Sequence, residues 1–382
     1  MTSIFKADIT STALAFRGYN TVNLGRSAEL LACPAYRGIV LEELKRFSRI
    51  CSEFLDQSTD LQEIVKSAVE PGLDRYAEAI ALIVAMEVAQ MRLLDEVHQV
   101  ETSRAALAFG YSLGELVAVG FGGTFAIDDL IRVPLALSKD SVELANNIKM
   151  GVLFSRGPTI DETDVQRICQ QITGEAKSTL GISAILSPNT YLLIGQGDTV
   201  DRFKEVMHNL LPSRAHLRIN TNQWPPLHTP IVRQRNIADR ASVMMETVPG
   251  GFTPPCPPVL SLVTGSRSYD DYSSRQILRE WIDHPQRLWD AIDKTLELGV
   301  KTVIHVGPIP NVIPATYHRL SENILEQTSG KTWRSLRKRA VSGMARRPWL
   351  ASLLPSDTAL LRAPHVRHII LEDWLLENSP TS

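Results

Sequence analysis

Two residues in this sequence have the type and setting for covalent chemistry. Ser112 stands in Gly110-Tyr111-Ser112-Leu113-Gly114-Glu115, a G-x-S-x-G run of the kind that exposes a nucleophile on a sharp turn between a strand and a helix. Glycines on both sides let neighbouring backbone approach such a turn, and the helix that follows points its free amides at any negative charge developing beside the serine. A serine hydroxyl needs a base to take its proton. Nine histidines are present, and most fall in helices, at strand edges or among charges near the end of the chain. His228 differs, because Trp224-Pro225-Pro226-Leu227-His228-Thr229-Pro230 brackets it with prolines. A loop stiffened in that way can hold an imidazole still.

The elements around these residues should position them. Thr12 to Phe16 (TALAF) and Arg104 to Phe109 (RAALAF) read as short buried strands, of the continuous apolar type found in parallel sheets. Between them Leu41 to Leu55 has helical spacing, and Arg75 to Leu94 is rich in strong helix formers. Strand, helix, strand implies a parallel α/β layer with helices on both faces. From about residue 148 the pattern changes to strand, helix, two strands about Ser187-Pro188-Asn189, helix, strand, ending near Asn220. That order is the ferredoxin-like βαββαβ split, so residues 148–221 are expected as a small insert in a large subdomain of residues 1–147 and 222–330. Val259 to Val263 and Thr302 to Val306 are expected as further strands. Residues 331–382 are set apart as an extension, since 331–347 holds seven basic residues and no acidic one.

Composition excludes several function classes. Forty Lys and Arg against 42 Asp and Glu give a net charge of −2, unlike a nucleic-acid binder that relies on a basic surface. The four cysteines form no Cys-x-x-Cys pair, so neither a zinc site nor a disulfide framework is expected. The N-terminus lacks a secretory signal, and the most apolar stretch, residues 77–94, carries Glu78, Glu87 and Arg92, so no membrane span is expected. The expected location is cytoplasmic.

The motifs resemble, in order, those of malonyl-CoA:acyl-carrier-protein transacylases and the acyltransferase domains of polyketide synthases. GYSLGE resembles the family's GHSLGE elbow, and Phe16-Arg17-Gly18-Tyr19-Asn20 its N-terminal F-P-G-Q-G segment. Leu227-His228-Thr229-Pro230 resembles the segment with the catalytic histidine, Ser187-Pro188-Asn189 an Asn-Ser-Pro turn, and His305-Val306-Gly307-Pro308 a late V-G-P-G loop. The likeness spans about residues 12–325 and implies a hydrolase-like α/β fold with the ferredoxin-like insert. It also implies an acyltransferase in fatty acid or polyketide biosynthesis that moves an acyl group from acyl-CoA to the phosphopantetheine thiol of an acyl carrier protein, with no metal or bound cofactor. Ser112 and His228 would form the dyad, the histidine being oriented by a backbone carbonyl. The backbone N–H groups of Tyr19 and Leu113 would hold the oxyanion, and Tyr111, Leu227 and Leu137 would line the acyl pocket.

Three departures from the pattern stand out. Tyr111 replaces the histidine beside the nucleophile, and Tyr19 replaces the glutamine of F-P-G-Q-G. Malonyl-specific members carry an arginine 25 residues after the serine, whereas the same count here reaches Leu137. Arg132, five residues earlier, lies about 140° around a helix. Without a charge-assisted partner a malonyl carboxylate would be poorly held, so an acyl group other than malonyl is expected. The alternatives are a thioester hydrolase that clears stalled acyl groups from carrier proteins, and a docking protein without catalysis, against which the paired Ser112 and His228 argue.

Overall fold

The structure is a computed structural model that describes residues 9–55, 57–156, 158–175, 178–220, 222–328 and 358–380. Among the described residues nine strands form two sheets. The strands are β1 (Thr12–Phe16), β2 (Leu107–Gly110), β3 (Ile148–Ser155), β4 (Leu180–Ser187), β5 (Thr190–Gln196), β6 (Ala215–Asn220), β7 (Val259–Leu260), β8 (Thr302–Val306) and β9 (Arg367–Ile370). The large sheet runs β7-β2-β1-β8-β9, with every pairing parallel. The small one runs β4-β5-β3-β6 and is antiparallel. This is the α/β fold with a ferredoxin-like insert that the pattern of apolar runs predicted.

Alternation along the strands decides what each face packs against. Leu14, Phe16, Ala108, Ile304 and Val306 point into one core with the helices Arg37–Ser52, Tyr76–Arg92 and Leu113–Phe121. Ala13, Ala15, Leu107, Phe109 and Val303 point into the other, against the helices Leu288–Glu297 and Val312–Thr328. With both faces covered, the strands have no polar side to present, which explains their continuous apolar sequences. The helix Tyr76–Arg92 is buried along nearly its whole surface. Among the described residues no helix is long and apolar enough to cross a membrane. The small sheet covers one face with the helices Glu162–Glu175 and Thr199–Leu210, around Leu153, Val165, Leu193 and Phe203.

The structure corrects two expectations about the large layer. The strand foreseen from Val259 to Val263 ends at Leu260, because the chain turns back at Ser261, whose N–H donates to Ser266 O. The Leu262 N–H then goes to the buried Glu115 carboxylate (3.1 Å) rather than to a strand. The second concerns the segment set apart as a basic extension. The described part of it, residues 358–380, belongs to the large layer: β9 pairs along β8, and Leu360 and Ala363 enter the core beneath it. The basic run 331–347 lies outside the described residues.

The turn after β2 is set by close backbone approach. A Cβ added to Gly110 would lie 2.1 Å from the Gly114 carbonyl carbon and oxygen, and one on Gly114 would lie 2.4 Å from Phe16 O. The helix Leu113–Phe121 therefore starts almost in contact with the ends of β1 and β2. We expect Gly114→Ala to lower stability by about 1–3 kcal/mol, the range for forced overpacking. Gly38→Ala, with nothing within 4 Å of the added atom, should leave stability unchanged or raise it by roughly 0.5 kcal/mol. Urea unfolding of the two variants separates them, and equal behaviour would contradict the packing described.

Candidate active site

Ser112 sits between β2 and the helix Leu113–Phe121, with φ 55° and ψ −115°. That backbone region is rarely occupied by a residue with a side chain and costs on the order of 1–3 kcal/mol. It aims the hydroxyl away from the sheet end and into a cavity lined by Tyr19, Tyr76, Tyr111, Ser183, Trp224, Pro225, Leu227 and His228. His228 also has positive φ, 63°. Its loop is pinned by the Thr229 hydroxyl donating to Pro226 O (2.7 Å) and by the His228 N–H donating to Ile282 O (2.8 Å). The two strained residues meet: Ser112 Oγ lies 2.6 Å from His228 Nε2.

Trp281 holds both partners. Its carbonyl oxygen is 2.8 Å from His228 Nδ1, and its indole N–H donates to Ser112 O at 3.0 Å. Only a protonated Nδ1 can donate to a carbonyl, so this contact fixes the tautomer that leaves the Nε2 lone pair facing the serine. The imidazole is 4% exposed. Burial pushes its pKa down to about 4, against the smaller upward pull of the Trp281 carbonyl and of Asp283. The histidine is therefore neutral, as a base must be, across the ordinary pH range.

Tyr19 lines the same cavity and Leu113 is the next residue after Ser112. Leu113 is the first residue of its helix, where an N–H has no intrahelical acceptor. Tyr19 follows Gly18, whose absent Cβ would stand 3.3 Å from the Ser112 Cβ. The Ser112 N–H is not available as a third donor, since it donates to Gln286 Oε1 at 2.9 Å. Such an arrangement can generate a serine alkoxide equivalent and receive the oxyanion of an attacked carbonyl.

The remaining candidates separate. Tyr111 and Leu227 line the cavity, Leu227 with its carbonyl taking the Ser183 hydroxyl (3.2 Å). Leu137, placed in the acyl pocket by counting from the serine, does not line it. It ends the helix Ile127–Ala136, is 1% exposed and belongs to the core, where burial of its side chain directs it. Arg132 is on the surface beside Glu53 and Asp129. No lysine or arginine is among the cavity's lining residues. Aromatic rings make up much of its lining: Tyr19 packs edge-on to Tyr76 with centroids 4.7 Å apart, and against Trp224 at 5.3 Å. The space left is about 20 Å³, room for roughly one water. Tyr76, Ser183, Trp281 and Gln286 were not foreseen. Trp281 acts partly through a carbonyl, which any residue type supplies, and so leaves no mark in a sequence.

The lowered pKa of His228 has a kinetic consequence with a definite sign. Only the unprotonated form can take a proton from Ser112, and its folded pKa lies below the ordinary histidine value of 6.5. The second-order rate of Ser112 modification by a fluorophosphonate should thus stay level down to roughly pH 5 and fall through about pH 4. A midpoint near 6.5 would mean a solvated imidazole.

No protein-family model matches the chain. The polyketide synthase GfsA of Streptomyces halstedii is 24% identical over 304 residues, which are 78% of this chain and 4% of that protein. The chain thus spans about 4% of the length of the curated relative it matches. FabD from Acinetobacter baumannii superposes with a TM-score of 0.65 at 18% identity, covering 81% of this chain and 91% of that one. A malonyl-transacylase solved in complex with its type II polyketide synthase acyl-carrier protein superposes with a TM-score of 0.63 at 21% identity, covering 80% and 91%. At these identities it is the fold that is shared, and the chain has the α/β fold of the malonyl-transacylases with its inserted ferredoxin-like subdomain.

Proposed function

We propose that the protein is an acyltransferase that moves an acyl group from coenzyme A to the phosphopantetheine thiol of an acyl carrier protein by way of an ester on Ser112. The observation that carries this reading is the 2.6 Å contact between Ser112 Oγ and a His228 whose other nitrogen faces a backbone carbonyl. Ser112 attacks the thioester carbonyl while His228 Nε2 takes its proton. The tetrahedral oxyanion rests on the Leu113 and Tyr19 amides, and the imidazolium returns the proton to the departing thiol. In the second half the carrier thiol attacks the ester, with His228 again first base and then acid. A carbonyl stabilises the imidazolium less than a carboxylate would. A thiol leaving group, with an ordinary pKa of about 8.5, needs correspondingly little protonation to depart. The carrier-bound relative of the same fold supports a carrier protein as the acceptor.

The acyl group in this reading is short and uncharged. The cavity wall includes no arginine or lysine to pair with a malonyl carboxylate, and a buried unpaired carboxylate costs several kcal/mol. The packed rings of Tyr19, Tyr76 and Trp224 leave little depth for a chain. On this view the large sheet belongs to a catalytic subdomain of residues 1–147 and 222–330, and the small sheet to a ferredoxin-like subdomain of residues 148–221.

Intact mass spectrometry tests the proposal. With acetyl-, malonyl- and longer acyl-coenzyme A, the acetyl adduct should form fastest, vanish in Ser112→Ala, and move to added holo carrier protein. His228→Ala should slow adduct formation by about 10²–10⁴-fold. A dominant malonyl adduct would refute the uncharged acyl group. Decay to free acid regardless of carrier would replace transfer by hydrolysis.

A further inference from the structure

One side chain at the dyad is still without a role. Gln286 is fully buried, five positions beyond Trp281 in the chain. Its backbone is bonded to the small sheet: the Gln286 N–H donates to Ser183 O (2.8 Å) and its carbonyl accepts from the Ile185 N–H (2.9 Å). Its side chain reaches the other way. Oε1 accepts the Ser112 N–H at 2.9 Å, and Nε2 stands 3.3 Å from His228 Nδ1. Exchanging the amide's oxygen and nitrogen would set two donors against each other at Ser112, so the bonding pattern fixes the orientation.

These contacts do two different things. The Ser112 peptide is gripped on both sides, its N–H by Gln286 and its carbonyl by the Trp281 indole. Its strained backbone is thereby held, and the oxyanion is left to the next amide, that of Leu113, together with Tyr19. At the histidine, Nδ1 cannot donate to Trp281 O and accept from Gln286 at once. The shorter contact, 2.8 Å against 3.3 Å, gives the proton to the carbonyl bond. The Gln286 amino group then presents the positive end of an amide dipole to an already protonated Nδ1, which opposes a charge on the ring.

Building on the reading of Ser112 as nucleophile, we infer that Gln286 is a positioning residue that fixes the serine's peptide through Oε1 and faces the imidazole with Nε2. The third member of this constellation thus acts on the nucleophile's backbone instead of supplying a carboxylate to the base. Other charged or titratable groups near His228 do not take this place. Asp283 is paired with His284 and Arg233, and the Tyr19, Tyr76 and Tyr111 hydroxyls, all raised by burial, are neutral.

The test compares the full chain with Gln286→Leu and Gln286→Glu, labelling Ser112 with a fluorophosphonate from pH 4 to 9 and reading occupancy by intact mass. Both variants keep the backbone bonds to Ser183 and Ile185, so if Gln286 served only to join the sheets Gln286→Leu would label at the wild-type rate. Gln286→Leu should label at least about 10-fold more slowly, the scale of a misplaced reacting group. Gln286→Glu still offers an acceptor to the Ser112 N–H but puts a carboxylate at Nδ1, so its midpoint should move up by about 1–3 pH units. A wild-type rate for the leucine variant, or an unmoved midpoint for the glutamate variant, would overturn the inference. If melting shows that the leucine variant does not fold, the glutamate profile alone decides. Wild type that resists the probe would remove the dyad and this inference together. Wild type that labels but accepts no acyl group from any thioester would overturn the transfer reading and leave the Gln286 comparison standing.

Discussion

The geometry of the site rests on one backbone conformation, that of Ser112. A residue with a side chain at φ 55° holds there only if its surroundings over-determine it. Here they do so from several directions. Gly110 and Gly114 admit backbone at distances no Cβ would allow. The Tyr111 N–H is bonded to Phe16 O at the end of β1. The Ser112 peptide itself is held at both ends by side chains from a segment some 170 residues away. Further support comes from within the helix, where buried Glu115 accepts the Tyr269 hydroxyl (2.8 Å) and the Leu262 N–H.

In the proposed reaction the base follows a different logic from the serine hydrolase triad, in which a buried carboxylate stabilises the imidazolium. His228 faces a neutral carbonyl in a nearly dry environment, so its charged form has little support and its neutral form is the resting state. Such a base favours reactions in which the charge on the ring is brief. Thioester exchange is of that kind, since a thiol both enters and leaves.

How far the residues announced this arrangement depends on the range over which each one acts. Gly110, Ser112 and Gly114 act on a turn, and Pro225, Pro226 and Pro230 act on a loop, so their types and spacing carried the signal. The buried strands were legible because two covered faces demand unbroken apolar runs, and the small sheet because its alternation differs. Trp281 and Gln286 act across 53 and 58 residues on His228, through a carbonyl and through an amide that is equally common on surfaces. Nothing local distinguishes them. Counting misled at Leu137, where the side chain followed its hydrophobicity into the core. The short β7 had a local cause in the turn at Ser261 and a long-range one in the Glu115 carboxylate that takes the Leu262 amide.

The strand β9 has a consequence for the order in which this protein comes into being. Glu372, just past that strand, accepts the amides of Arg26 and Ile309. The loop containing Ile309 in turn receives the Arg17 guanidinium through Pro308 O (2.5 Å). Arg17 directly precedes Gly18 and Tyr19, which lie beside Ser112. Glu372, in the helix that follows β9, thus braces the loop that begins at Arg17. Ser112 and His228 precede that brace in the chain, so a ribosome-bound chain ending near residue 325 holds both residues without the Glu372 contacts.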